Sequence, residues 1–254
     1  MLYILANGSM ATALAYGLKD DYEICIVGRS IEKLQALAKE GFKTLLYKDF
    51  NIEGKDVILA FKPYALENIA QMLKGQARIL ISVLANVDFE KLQTIKAQNY
   101  VRIIPNTAAK YKASTTPYIL KNSHFENEIL DILKTFGSAY KLDNEIQMNA
   151  AMAISGCAPA FLALIAESIA NAGVYEGLSK ELSLNLTRSL FKSSSALLEH
   201  EHPAIIKENI CSPGGVTIKG IKILEQKGIR GSFFEAINAR AALNEKGFHT
   251  YRKH

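Results

Sequence analysis

Over the first 142 residues, short continuous apolar runs alternate with stretches in which apolar residues recur at helical spacing. Runs at 2–6, 22–27, 43–47, 56–60, 78–82 and 101–104 are of strand length and predict buried strands, with further strands at 115–120 and 138–142. Between them, 10–18, 31–40, 64–73, 89–97 and 126–135 predict helices; Met10, Ala13, Leu14, Gly17 and Leu18 show the spacing, and Ser30 stands where an N-cap would. Strands and helices in this alternation imply an α/β fold: a Rossmann-type, doubly wound parallel sheet. After Asp143 the pattern changes to long helical stretches at 159–172, 180–200, 215–226 and 231–246, with no strand candidate. The expected domains are therefore 1–142, a nucleotide-binding α/β domain, and 143–254, an all-helical one.

Composition narrows the function classes. The 254 residues are 49% hydrophobic and 22% charged, a globular profile. Thirty basic against 25 acidic residues leave +5, spread thinly with no basic stripe, which argues against nucleic acid and leaves an anionic small molecule as the natural partner. Cys25, Cys157 and Cys211 are too few and too scattered for a disulfide framework, and a reducing cytoplasm is expected. No Cys/His spacing suggests a metal site, and His200-Glu201-His202 reads as a solvated helix end. Two uncharged runs invite a membrane reading that is rejected. Residues 1–18 lack a positive leader and are interrupted at Gly8. Residues 146–166 carry Gln147, Asn149, Ser155, Gly156 and Pro159, and are read as two short buried helices around a break.

The first strand runs into Ala6-Asn7-Gly8-Ser9-Met10-Ala11 and then a helix, the arrangement that sets a pyrophosphate on helix N-terminal amides. Ala6 stands where the first glycine of the usual pattern would be. After the second strand, where an NAD site carries an acidic residue for the ribose, the chain has Arg29 and Ser30. These suit a 2′-phosphate, so NADPH is expected as the cofactor, with NADH as the lesser alternative.

Four further segments together resemble the pyrroline-5-carboxylate reductase family, over essentially the whole chain. They are Asp56–Pro63 (with Ala60, Lys62 and Pro63 in the turn that lies along the cofactor), Val101–Thr107, Ile154–Phe161, and Asn209–Ile218 with its Ser-Pro-Gly-Gly-Val-Thr core. Departures from the family pattern are Ala6 for glycine, Ala85-Asn86 for Ala-Gly, Cys157-Ala158 for Ser-Gly and Phe161 for tyrosine. The resemblance implies reduction of L-1-pyrroline-5-carboxylate to L-proline. That chemistry needs a hydride donor, a carboxylate grip and a protonated C=N, but no side-chain nucleophile. The grip is assigned to Ser212, Gly214, Gly215, Val216 and Thr217, where glycines allow close backbone approach at a helix N-terminus.

Thr217 is the residue that the resemblance places at the imine nitrogen, and Glu145 stands where the family has an acidic residue that would favour the iminium. Asn106 is expected beside the nicotinamide and Asn209 to reach the cofactor from the second domain; Arg102 reads as an ion-pair member. Phe161, Leu162, Ile165, Ile169, Leu182, Leu186, Leu190 and Leu197 are more apolar surface than about 110 residues of helix can bury alone, so a homodimer or a larger homo-oligomer is expected. The competing readings are a reductase of another cyclic imine, or a cofactor-binding regulator without turnover.

Overall fold

The structure, a computed structural model, describes residues 1–245; the end of the helix expected at 231–246 lies outside them. In chain order the first part comprises β1 (Leu2–Leu5), α1 (Ser9–Leu18), β2 (Ile24–Gly28), α2 (Ile31–Lys39), β3 (Lys43–Leu46), β4 (Asp56–Leu59), α3 (Leu66–Met72), β5 (Ala77–Ser82), α4 (Phe89–Leu92), β6 (Ala97–Ile103), β7 (Ser114–Leu120), α5 (Glu126–Thr135) and β8 (Gly137–Lys141). The strands form one sheet in the order β3-β2-β1-β4-β5-β6-β7-β8.

Successive strand residues face opposite sides, so the continuous apolar runs bury both faces. Leu2, Ile4, Ile24, Ile26 and Ile58 pack with α1, α2 and α5, whereas Leu5, Val27, Val57 and Leu59 pack with α3 and α4. The doubly wound expectation holds for six strands.

It needs correction at β7, which runs antiparallel to β6. A parallel return needs a crossover of about a dozen residues or more. The β6–β7 connection is shorter than that and holds only the 3-10 turn Thr107–Tyr111. The helix expected at 89–97 is also cut back, to Phe89–Leu92. Residues 97–100 instead begin β6 and pair with β5, and the Tyr100 hydroxyl closes the intervening turn by donating to Ile95 O at 2.9 Å. Polar residues at Lys96, Gln98 and Asn99 disguise that strand.

The chain then continues as α6 (Gln147–Met152), the π-helical turn Ala153–Cys157, α7 (Ala158–Tyr175), α8 (Lys180–His200), α9 (Pro203–Ile210), α10 (Val216–Gln226) and α11 (Ile229–Glu245). It divides into two compact units between Gly156 and Cys157, not at the composition change near 142. The reason is packing: Met148 and Met152 of α6 are buried in the core of the first unit. The two short buried helices expected at 146–166 are one helical run through a π turn, with fully buried residues in α6 and the π turn but none in α7. By length and composition alone, Gln147–Tyr175 would be sufficient to cross a membrane. α9 was not anticipated; Pro203 opens it at a position where a missing N–H costs nothing, and His202 Nδ1 accepts from Ala204 N at 3.3 Å as its cap.

The second unit is held together differently. α7 and α8 cross closely where a Cβ on Gly173 would lie 2.2 Å from Ser183 Oγ, and that hydroxyl donates to Ala170 O at 2.7 Å. Ser183 and Thr187 are buried there, yet among the described residues no apolar side chain after Ala153 is.

At the end of β1, Ala6 has a φ of 151°, a region in which glycine is at ease and an L side chain is strained. Ala6→Gly should therefore stabilise the protein by about 1 kcal/mol net of glycine's greater unfolded-state entropy. Thermal unfolding should show this as a rise of roughly 2–4 °C in Tm. A fall in Tm would mean that the alanine is not strained.

Candidate active site

The carboxyl ends of β1, β2 and β4 lie side by side, because β1 pairs with both of the others. Each carries part of the expected cofactor site. At β1, Gly8 caps α1 with extended backbone and no side-chain bond to the first turn, and a Cβ built on it would meet nothing within 4 Å. α1 has no acidic residue in that turn. Ser9 is exposed and Met10 half-buried, so the first amides of α1 form an open anion seat.

Asn7 Nδ2 is buried without a partner, and the side chain packs against Gly28, where a Cβ would stand 3.1 Å from that nitrogen. An uncommitted buried amide beside a bare helix N-terminus and a glycine cradle fits a dinucleotide phosphate.

At β2, Arg29 is exposed, and its charge acts on Tyr47, whose hydroxyl burial pushes up to about 12 while the arginine pulls the other way. Ser30 Oγ accepts from Lys33 N at 3.4 Å as the N-cap of α2, which leaves its O–H free to donate. At β4, Ala60 N donates to Leu5 O at 3.2 Å, and exposed Lys62 precedes Pro63 at the start of a 3-10 turn.

Two residues expected at the site are engaged elsewhere. Asn106 donates through Nδ2 to Ser155 O at 3.1 Å and accepts through Oδ1 from Ala108 N at 3.0 Å. Both ends of its amide are engaged, and of its two Nδ2 hydrogens one is left for the expected contact with the nicotinamide. Glu145 Oε1 accepts from Arg102 Nη1 at 2.5 Å and from Phe89 N at 3.1 Å. Arg102 is 6% exposed, so Glu145 balances a buried charge. This is a structural duty that the sequence did not assign to Glu145. Neither Ser155 nor this pairing of Glu145 was anticipated. The signal for Ser155 was present, as Pro159 four residues on removes the amide that its carbonyl would use.

In the second unit, Cys211 to Gly215 form a tight turn in which Gly215 N donates to Ser212 O at 3.1 Å. Gly214 adopts a φ of 70°, which favours glycine, and a Cβ on Gly215 would lie 2.4 Å from Ser212 Oγ, so that hydroxyl would have to turn away to admit a side chain there. Gly215 caps α10 without a side-chain bond, and the first turn contains no acid. Ser212, Val216 and Thr217 are exposed around that N-terminus. Asn209 Nδ2 donates to Glu201 Oε2 at 3.3 Å.

The chain matches two family models: pyrroline-5-carboxylate reductase dimerisation over residues 145–246, and NADP oxidoreductase, coenzyme F420-dependent, over residues 2–86. It is 37% identical over 247 residues to pyrroline-5-carboxylate reductase of Helicobacter pylori strain J99, covering 93% of this chain and 95% of that protein. Among solved structures, the pyrroline carboxylate reductase of Plasmodium falciparum with NADP bound superposes with a TM-score of 0.82 at 28% identity, over 94% of this chain and 95% of that one. The 1-pyrroline-5-carboxylate reductase of Streptococcus pyogenes gives 0.80 at 27% identity, over 95% and 98%. With likeness running through both units at this identity and coverage, the chain belongs to the pyrroline-5-carboxylate reductase family.

Proposed function

We propose that this chain reduces L-1-pyrroline-5-carboxylate to L-proline with NADPH and works as a homo-oligomer, a dimer or an assembly of dimers. The observation that carries the reading is the Ser212–Thr217 turn: a left-handed glycine and a second glycine close against Ser212, in front of an uncapped helix N-terminus, in a chain of this family. Such a turn grips a small carboxylate with backbone amides and a serine hydroxyl.

NADPH, when bound, supplies the hydride. The first amides of α1 at Gly8, Ser9 and Met10, with Asn7 beside them and Ala6 before them, are assigned to its pyrophosphate. Arg29 and the Ser30 hydroxyl are assigned to the 2′-phosphate, and Ala60, Lys62 and Pro63 line the cofactor. Ser212 and the amides of Gly214, Gly215 and Val216 hold the substrate carboxylate. The Thr217 hydroxyl binds the ring nitrogen; a threonine is too weak an acid to protonate it, so its work is to orient an already protonated iminium. Glu145 is left out of the proton path because Arg102 holds it. Asn209, whose amide goes to Glu201, is given no cofactor role.

The deciding experiment follows NADPH consumption by the purified protein with pyrroline-5-carboxylate and with a panel of other cyclic imines. Turnover fastest with pyrroline-5-carboxylate supports the reading. Faster turnover of another imine moves the substrate, and tight NADPH binding without turnover makes the protein a regulator. In the same assay Thr217→Ala should lower kcat/KM about 10- to 150-fold, one hydrogen bond to a charged group, mostly through kcat, with Thr217→Ser recovering most of the loss.

Arg29→Ala should raise the KM for NADPH by roughly tenfold or more and leave that for NADH nearly unchanged, because only the former carries the extra phosphate. Equal loss with both cofactors would remove Arg29 from the phosphate site.

For the assembly, the exposed Leu162, Ile169, Leu182, Leu186, Leu190 and Leu197 of the expected apolar face are the contact surface. Light scattering at micromolar concentration should give a multiple of the 28.0 kDa chain mass. A monomer would contradict this.

A further inference from the structure

Helical carbonyls normally accept from the N–H four residues on. For Ser155 that residue is Pro159, which has no N–H. The helical run does not break there. It widens into the π turn Ala153–Cys157, and the Ser155 carbonyl is met from outside the helix by Asn106 Nδ2 at 3.1 Å. Ser155 itself is 3% exposed, and its hydroxyl donates to Ala151 O at 2.9 Å and lies 3.4 Å from Ile104 O. Asn106 is in turn held from both sides, since its backbone N donates to Ser114 Oγ at 3.1 Å and its Oδ1 accepts from Ala108 N. A side chain on the loop after β6 thus completes a helix that proline leaves one donor short. π turns inside helices recur at functional sites. This one lies where the chain passes from the unit with the cofactor groups to the unit with the substrate groups.

We infer that Asn106 is a positioning residue for imine reduction: it holds the π turn at the carboxyl end of β6 through the Ser155 carbonyl and does not touch the cofactor with its side chain. The inference rests on the reductase reading above. Cofactor and substrate groups belong to different units, so a loosened turn between them degrades turnover and leaves cofactor affinity alone. Displacements on the order of 1 Å at a reacting centre lower rates by up to about 100-fold.

Asn106→Asp tests this, because it keeps the acceptor for Ala108 N and exchanges the donor for a second acceptor facing the Ser155 carbonyl. Three readouts are compared with wild type: amide hydrogen exchange of residues 151–158, NADPH Kd by calorimetry, and kcat and KM with the imine. The expected result is exchange faster by roughly fivefold to tenfold in that segment alone, the loss of one hydrogen bond. NADPH Kd should stay within about twofold and kcat should fall by roughly tenfold or more. Pro159→Ala, which returns a backbone donor to Ser155, should restore much of the protection and of kcat in the Asn106→Asp background.

A weakened NADPH Kd with unchanged exchange would overturn the inference in favour of direct cofactor contact. Faster exchange with unchanged kcat would overturn it in favour of a purely structural bond. If Asn106→Asp does not fold, Asn106→Ala with and without Pro159→Ala gives the same comparison, and failure of Pro159→Ala to restore protection there counts against the inference. A wild-type protein that consumes no NADPH with any imine defeats the reductase reading itself, an outcome distinct from a normal wild type with an unaffected variant.

Discussion

A guanidinium in the interior cannot be left without a counter-charge, and the placement of Arg102 in the middle of β6 imposes that condition on the chain around it. Arg102 is almost fully buried, and one of its nitrogens, Nε, finds no partner. The charge is answered by Glu145, which lies beyond β8 and also accepts from the first amide of α4. One carboxylate therefore draws the chain after the sheet back across it, and α6 follows with Met148 and Met152 into the core. The π turn then begins where Asn106 can reach it. The ion pair, the two methionines and the Asn106–Ser155 bond together keep the segment 145–156 on the first unit.

The chemistry is divided along the same line. The helix that follows each glycine turn, α1 in the first unit and α10 in the second, begins bare of side-chain caps and first-turn acids. Each is preceded by small residues that let a ligand approach the backbone. Two anion seats suit a reaction in which a phosphate-bearing cofactor and a carboxylate substrate must both be held while the protein supplies no covalent chemistry. The second unit contributes its seat on helices in which, among the described residues, no apolar side chain is fully buried, which suits association with a like surface.

The departures from the family pattern fall into two kinds. Asn86, where the family has glycine, adopts a φ of 59°, the left-handed region that asparagine tolerates better than other side chains. The turn is thus preserved by a different residue. Ala6 has no such exemption and keeps glycine's geometry under strain. Cys157 and Ala158 stand just past the Asn106–Ser155 bond, so that bond does not depend on either side chain.

The strands β1 to β5, the helices that cover them, the glycine turn at residue 8, Arg29 and the Ser-Pro-Gly-Gly turn are all legible in the sequence. In each, the signal lies within a few neighbouring residues: a buried run, a helical period or a glycine that geometry requires. The direction of β7, the true start of β6, the unit boundary and the duties of Asn106 and Glu145 are not legible in that way. Each depends on a partner distant in the chain: Asn106 needs Ser155, Glu145 needs Arg102, and Asn99 is a strand residue only because β5 lies beside it. Local sequence determines which groups must find a partner, such as a buried cation or a carbonyl facing a proline. Only the tertiary structure decides which residue answers, because that choice depends on distances the folded chain alone brings within hydrogen-bond reach.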